Sequence, residues 1–175
     1  LITHHHDDHA GFAARLVQQT GCRLIVHKNA VAPLKYGASD CTIKPVNKRV
    51  KVVFEIFKLF HKSFEFLPVN TVESDIIVDD DNYSLLKEIG VDGKILYTPG
   101  HTGDSISVVL SNGDTFAGDA AMNFLQFCGI RHRPIYINDI TKVYESWRKL
   151  MEHGAKRIYP AHGRPFAADK LSYVK

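Results

Sequence analysis

The stretch "THHHDDHAG" at residues 3–11 places four histidines and two aspartates within nine residues. A purification tag is an uninterrupted histidine run followed by linker residues. This run instead breaks into Asp7, Asp8 and His9 and continues into "AGFAARLVQQTG", whose apolar spacing predicts a helix. Imidazole and carboxylate groups are ligands for transition metals. The stretch therefore predicts a tag or a metal site, and the rest of the chain decides between them.

Three further ligand-type residues stand where predicted strands end. They are His101 after "TPG", Asp119 after "AG" and His162 after "PA". A glycine, which allows close approach of the backbone, adjoins each of them, namely Gly100, Gly118 and Gly163. Ligand-type residues at three strand ends, each beside a glycine, rarely occur together by chance. Their occurrence favours a metal site over a tag.

The spacing of the candidate ligands suggests two metal positions. His4 and His6 are two residues apart, so in an extended segment their side chains project to the same side. Asp8 and His9 follow at the predicted helix start, where the chain turns toward a neighbouring point. The expected sets are His4, His6 and His101 for one metal, and Asp8, His9 and His162 for the other, with Asp119 between them.

Predicted strands alternate with helices, and a hairpin interrupts the series. This order favours an α/β fold in which helices cover mixed sheets. The predicted helices are Asp8–Thr20, with Phe12, Leu16 and Val17 on its buried face, Val46–Phe64, and Asp139–His153. The predicted strands are the end of one at residues 1–3, residues 22–28, three strands separated by turns within 71–101, a hairpin within 105–121 around Asn112–Gly113, and a last strand within 156–163.

Composition sets the class of protein. The chain has 175 residues, 45% hydrophobic and 23% charged, with a net charge of +3. We expect a single domain over residues 1–175, and the mild charge argues against a nucleic-acid partner. No apolar run is long enough to span a bilayer, so no membrane association is expected. Cys22, Cys41 and Cys128 are widely spaced, which predicts reduced thiols and a cytoplasmic location.

The motifs together resemble one family across nearly the whole chain. H-x-H-x-D-H over His4 to His9, "TPGHTGDSI", "AGD" and "PAHG" are similar to the motifs of the metallo-β-lactamase superfamily, in the order found in glyoxalase II-like hydrolases. The resemblance implies an αββα sandwich with two divalent ions at one edge, zinc first and iron or manganese as alternatives. It implies the two ligand sets given above, with Asp119 as the bridge.

The same resemblance implies a reaction. A hydroxide shared by two ions about 3.5–4 Å apart would attack an ester, thioester, lactone or related bond of a small-molecule substrate. Asp8 and Asp119 are then the catalytic carboxylates. The alternatives are a mononuclear iron persulfide dioxygenase, which uses the first metal position only, a nuclease, and a metal-binding fragment without activity.

Two departures from the family pattern shape the expectations. An N-terminal half-sheet normally precedes the histidine motif, and almost nothing precedes it here. We therefore expect an incomplete domain that is unstable alone and pairs with another copy or with its missing N-terminal segment. Thirteen residues follow His162, which leaves no room for the glutathione-binding domain of glyoxalase II, and Met122 stands where quorum-quenching lactonases have tyrosine. These departures argue against both the glyoxalase II activity and the lactonase activity.

Other polar residues receive structural or supporting roles. The candidates for fixing the imidazoles are Thr3, Thr98, Thr102 and Asp104, with turn capping as the alternative. His5 is expected to be structural or solvent-facing, Asp7 to be a helix-start charge, Cys128 to be a buried thiol, and His27, His61, His132 and His153 to be surface or hydrogen-bonding residues. The basic, Phe-rich helix at 46–64 is expected to cover the core or to act as a lid favouring an anionic substrate with an apolar part.

Overall fold

The computed structural model describes residues 1–39, 43–58 and 65–171. Within these ranges the helices are α1 Asp7–Ala10, α2 Ala13–Thr20, α3 Val31–Tyr36, α4 Lys48–Lys58, α5 Leu85–Glu88 and α6 Ile140–Glu152. The strands are β1 Ile25–His27, β2 Lys44–Pro45, β3 Ile76–Val78, β4 Gly93–Tyr97, β5 Ile106–Leu110, β6 Asp114–Gly118, β7 Tyr136–Ile137, β8 Arg157–Pro160 and β9 Phe166–Ala167. Among the described helices, none is long and apolar enough to cross a membrane.

The main sheet is mixed, with strand order β4-β5-β6-β8-β9. β6 and β8 run parallel, and the other neighbouring pairs are antiparallel. β1 and β3 form a separate parallel pair, and β2 and β7 form a short antiparallel pair. The hairpin predicted around Asn112–Gly113 is confirmed as β5 and β6.

Alternating side chains arrange these elements in four layers. On one face of the main sheet Leu96 and Val109 pack with Trp147 of α6. On the other face Ile95 packs with Ile25 of β1 and with β3. The opposite side of β1, including Val26, packs against residues of the first three helices. Helix, sheet, sheet and helix therefore follow one another, as period-two alternation in the strands requires.

The first predicted helix is divided. α1 ends at Ala10, and α2 begins only at Ala13, after a turn at Gly11 and Phe12. The predicted buried face was wrong in part, because Phe12 is 60% exposed and Leu16 is 40% exposed, whereas Val17 packs against the core. Ala10 and Ala13 are buried in their place. Ala10, Ala13, Ala14 and Val17 keep the i, i+3, i+4, i+7 spacing of one helical stripe, so the buried face consists mainly of alanines and keeps its phase across the turn.

Other elements differ from their prediction in part. The middle strand expected within 71–101 was wrong, because residues 85–88 form α5, and the Asn82 side chain accepts the Leu85 N–H at 2.8 Å just before it. The helix predicted over 46–64 begins at Lys48, and its predicted apolar residues Phe60 and Phe64 lie outside the described residues. α6 is confirmed, with Asp139 capping the N–H groups of Thr141 and Lys142.

Candidate metal centre

The histidine loop is held between two strands. The Ile2 N–H donates to the Ile25 carbonyl at 3.0 Å, and the Thr3 carbonyl accepts from the Ile106 N–H at 2.9 Å. Residues 1–3 are extended but form no strand in the described structure, so the predicted strand end was wrong. The side chains of the histidine run that follows, His4, His5 and His6, are buried. Burial of all three histidines excludes the tag interpretation.

The first trio, defined as His4, His6 and His101, presents three ring nitrogens to a common point. His6 Nδ1 lies 3.1 Å from His4 Nε2 and 3.0 Å from His101 Nε2. Imidazoles at about 2.0–2.1 Å from a tetrahedral zinc ion place their nitrogens about 3.3–3.4 Å apart. The observed separations fall within about 0.4 Å of that spacing, so the first trio fits one divalent ion.

The backbone selects the tautomer of His101. Its Nδ1 lies 2.7 Å from the Tyr136 carbonyl, which only accepts, so Nδ1 carries the hydrogen and donates. Nε2 therefore keeps its lone pair toward the first trio. Tyr136 belongs to β7, and its ring packs edge-on against Phe54 of α4 at 4.5 Å between centroids. Sequence reasoning missed this carbonyl, because a backbone acceptor leaves no side-chain signal.

The second trio, defined as Asp8, His9 and His162, adjoins the first, since the ring centroids of His4 and His9 lie 4.0 Å apart and both residues group with Asp119. Asp8 Oδ2 lies 3.0 Å from His162 Nε2 and 3.7 Å from His9 Nε2. In each trio the potential ligand atoms all lie within 4.8 Å of one another. The second trio is more open, since the Asp8 side chain is 48% exposed and that of His162 is 35% exposed.

Asp119 stands between the two trios. Its Oδ2 lies 3.5 Å from His101 Nε2, and its Oδ1 lies 3.3 Å from His9 Nε2 and 3.5 Å from His162 Nε2. Oδ1 makes no hydrogen bond of good geometry within the described residues, although it is buried. A buried carboxylate oxygen aimed at imidazole nitrogens without a hydrogen bond fits a shared cation.

Two glycines make the approach of these loops possible. Gly118, just before Asp119, has φ of +52°, and a Cβ there would lie 2.8 Å from the Thr3 side chain. Gly163, just after His162, has φ of +100°, and a Cβ there would lie 2.1 Å from the Asn123 carbonyl oxygen. Side chains at either position would separate the loops that carry the candidate ligands.

Burial keeps the first trio neutral. It holds the pKa of His4 well below its usual range, with the His101 imidazole reinforcing the effect. Burial and the same neighbour lower the pKa of His6 to about 3. Burial also lowers the pKa of His101, against the opposing charge of Asp119. At neutral pH these three imidazoles are therefore unprotonated and available as ligands.

The second trio has the opposite electrostatic character. Burial favours the neutral acid of Asp8, but the hydrogen bond with His162 and nearby imidazoles outweigh it and lower the Asp8 pKa to about 2. The hydrogen bond with Asp8 raises the pKa of His162 above its ordinary value. Asp8 is thus a carboxylate at neutral pH, and His162 holds a proton more readily than a free histidine does.

The structure brings together all seven residues that the sequence grouped as ligands, and their ligand role stays a prediction. Among the expected supporting residues, Thr3 Oγ1 lies 3.1 Å from His9 Nδ1 and 3.3 Å from His4 Nδ1. Thr98 and Thr102 instead bond to serine hydroxyls, both at 2.7 Å. They bond to no imidazole among the described contacts.

The remaining histidines take structural positions. His5 is buried against Asp104, so a structural role is confirmed and exposure to solvent is excluded. His27 is buried, accepts the Asn29 N–H through Nδ1 at 3.2 Å and stacks on Tyr97. His132 stacks on Phe166, whereas His153 packs near Tyr83. His61 and Cys41 lie outside the described residues.

Phe124 lies beside the second trio, and α4 packs against the segment that follows Asp119. The Phe124 side chain is 46% exposed, and its ring centroid lies 6.2 Å from that of His162. Val50 of α4 packs with Met122 and Cys128, which confirms the buried thiol. The Met122 side chain is buried in this cluster. It therefore offers no exposed polar group at the position where the lactonases have tyrosine.

One family model covers most of the chain. The family model described as "Metallo-beta-lactamase superfamily" matches residues 1–162. The chain belongs to the metallo-beta-lactamase superfamily. Membership, together with the four observed layers, confirms the αββα class that the motifs implied.

Individual relatives are more distant. The Drosophila melanogaster "Beta-lactamase-like protein 2 homolog" is 24% identical over 167 residues, which are 93% of this chain and 44% of that protein. A Pseudomonas aeruginosa (strain LESB58) hydroxyacylglutathione hydrolase is 38% identical over 61 residues, which are 35% of this chain and 22% of that protein. The chain thus spans less than half the length of these relatives.

A solved structure shows the same fold at low identity. The metallo-beta-lactamase family protein TTHA1429 from Thermus thermophilus superposes with a TM-score of 0.59 and 22% identity. The match covers 97% of this chain and 57% of that protein. At this level of identity the likeness establishes the fold, whereas the chemistry depends on the site itself.

Proposed function

We propose that this chain is a hydrolase that holds two divalent metal ions and cleaves an ester, thioester, lactone or related bond of a small molecule. The observation that carries the proposal is the position of Asp119. One of its oxygens faces the first trio and the other faces the second, at 3.3–3.5 Å from imidazole nitrogens. A carboxylate so placed would be a ligand for ions held in both trios, whereas a single-ion site would leave the second trio without a ligand role.

The two trios and Asp119 would hold the ions, which would supply a water of lowered pKa and stabilisation of the negative charge on the attacked oxygen. Zinc suits the histidine-rich first trio, and iron or manganese are the alternatives. In the hydrolysis, water adds to the carbonyl carbon, the bond to the leaving oxygen or sulfur breaks, and the leaving atom takes up a proton.

The residues of the second trio act on water and protons. Asp8 is half exposed, and its pKa of about 2 keeps it charged at neutral pH. It therefore serves as a hydrogen-bond acceptor that orients the attacking water, rather than as a store for its proton. Asp119 fixes the spacing of the trios, and the buried first trio excludes water from its own side.

A small thioester or ester is the substrate class with the most support. The local similarity to a hydroxyacylglutathione hydrolase covers 61 residues. The exposed ring of Phe124 beside His162 offers an apolar surface next to the more open trio. Together these features favour a carbonyl substrate with an apolar group near the bond that is cleaved.

The alternative of a mononuclear iron dioxygenase requires one ion in the first trio. The second trio then has no ligand function, although Asp8 Oδ2 lies only 3.0 Å from His162 Nε2 and Asp119 Oδ1 faces the same side. The two proposals differ in the number of ions for each chain. Metal analysis therefore separates them before any substrate is known.

The test combines metal content with a substrate panel. Chelator-treated protein is reloaded with zinc, iron or manganese, and thioesters, esters, lactones and a phosphodiester are assayed. We expect two ions for each chain, hydrolysis of at least one carbonyl substrate, and loss of activity on the order of 10²–10³-fold in D119N. D114N, at the start of the same strand, is the matched control and keeps activity. A chain that binds no ion, or a fully active D119N, overturns the proposal.

A further inference from the structure

A buried carboxylate outside both trios joins the two loops of the first trio. Asp104 Oδ2 accepts the backbone N–H of His5, and Asp104 Oδ1 lies beside His5 Nδ1, both at 2.9 Å. Asp104 is 2% exposed and His5 is 4% exposed. The contacts span 99 positions of sequence. They are therefore a tertiary link within the core and not a local loop cap.

The bonds between Asp104 and His5 lie next to the candidate ligands in the chain. The N–H that Asp104 accepts belongs to the residue between His4 and His6, whose ring nitrogens lie 3.1 Å apart. Asp104 itself follows His101 by three positions, and that loop is closed by the Gly100 N–H donating to the Thr102 carbonyl at 3.1 Å. Asp104 therefore ties the loop of His6 to the loop of His101.

The ring contact restricts rotation as well as distance. The His5 and His6 rings lie 5.1 Å apart at 71°. With both the ring and the backbone N–H of His5 bonded to Asp104, the loop cannot turn about its axis without breaking two buried hydrogen bonds. A single backbone bond would leave that rotation free.

We infer that Asp104 is a positioning residue that fixes the geometry of the first trio through the backbone and ring of His5. The inference rests on the metal centre of the proposed function and adds a residue that touches neither ion nor substrate. Removing a supporting partner of this kind weakens metal binding by about 10–100-fold.

A purely structural role is the competing explanation, and Asp75 provides the matched control. Its carboxylate accepts the backbone N–H of Leu24 at 2.7 Å and that of Val72 at 2.9 Å. It therefore joins separate segments by the same kind of bond, but it contacts no residue of the histidine loop among the described contacts. D75N should destabilise the protein without altering the metal site.

The experiment measures zinc affinity by competition with a chelator and the visible spectrum of the cobalt-substituted protein. We expect D104A to weaken binding of the tighter ion by about 10–100-fold and to change the cobalt bands. D104N, which keeps one acceptor oxygen, should lose less. H5A should lose least, because the backbone N–H remains. Urea unfolding of each metal-free variant supplies the stability loss for comparison.

Each outcome decides the inference. Wild-type affinity and an unchanged cobalt spectrum in D104N, with stability reduced as in D75N, would overturn it. If D104A does not fold, D104N and H5A give the decision, because each removes part of the link. If the wild-type protein binds metal but hydrolyses no substrate in the panel, the proposed function fails while the affinity order still decides the positioning role.

Discussion

The two trios of the candidate metal centre lie side by side and differ in every physical property. The first consists of three buried imidazoles whose pKa values are lowered. The second contains a carboxylate, is half exposed at Asp8, and includes a histidine whose pKa is raised. One half of the centre is a dry, neutral ligand set, and the other half is a charged set in contact with solvent.

This difference predicts how tightly each trio binds its ion. The first trio is preorganised, because its lone pairs already converge and no proton must leave at neutral pH. The second trio must release a proton from His162 before that nitrogen can bind an ion. We therefore expect the first ion to bind tightly and the second to bind weakly and with proton release. We also expect substrate and water to approach from the more exposed side, which carries Asp8 and His162.

The largest expected effect comes from removing one ligand from each trio. H6Q should abolish tight binding of the first ion and activity, with a loss on the order of 10³-fold or more, because the buried set loses its central nitrogen. H162Q should keep one tightly bound ion for each chain and lose only the second. Metal analysis after gel filtration and zinc titration measures both.

The control for this pair is H153Q, which changes a histidine at the end of α6. It should keep both ions. Equal loss of metal in H6Q and H162Q would show that the trios are one site without the division described above.

A smaller effect is expected from pH on the metal-free protein. The unfolded chain titrates its histidines near pH 6.5, whereas His6 in the folded chain has a pKa of about 3. Between these values the unfolded state binds more protons, so stability falls as the pH drops from about 6.5 toward 3. Each such histidine contributes at most about 1.4 kcal/mol for each pH unit.

Urea unfolding in the presence of chelator, from pH 7 to pH 4.5, measures this slope. H6Q should flatten it, and H162Q should not, because the raised pKa of His162 affects stability above pH 6.5. A slope below pH 6.5 that is the same in wild type and H6Q would contradict the assignment of a neutral, buried first trio.

The smallest expected effect comes from Thr3. Its hydroxyl lies 3.1 Å from His9 Nδ1 and holds the ring that faces Asp119. T3V keeps the shape but loses this contact, so binding of the second ion should weaken by about 10-fold. T20V, in which the hydroxyl bonded to the Leu16 carbonyl is removed, is the control. Equal second-ion affinity in T3V and T20V would assign the Thr3 contact to turn geometry alone.

The sequence predicted the candidate centre better than it predicted the surrounding elements. Ligand residues at strand ends carry their own chemical signal, and the grouping of His101 with the first histidines agrees with the structure. Helix phase was less predictable. Phe12 and Leu16 are exposed, because the stripe that packs against the core is formed by Ala10, Ala13, Ala14 and Val17. The spacing of large apolar residues alone does not identify a face made mainly of alanines.

Tertiary contacts by backbone atoms were also beyond prediction. The Tyr136 carbonyl holds His101, and the peptide N–H of His5 is held by Asp104, a residue for which the sequence offered loop capping as the alternative. Any residue type supplies these backbone groups. Only the folded chain shows which backbone group lies within hydrogen-bond distance of a given side chain, because the partners are 35 and 99 positions apart in the sequence.

The contact between Tyr136 and His101 also connects α4 to the candidate metal centre. Tyr136 pairs through its backbone with Pro45 and touches Phe54 of α4 through its ring, while its carbonyl orients the imidazole. The position of α4 is therefore not independent of the centre. We expect a shift of that helix to be transmitted through a single tyrosine to the ring of His101, so a substitution that moves α4 should also change metal affinity.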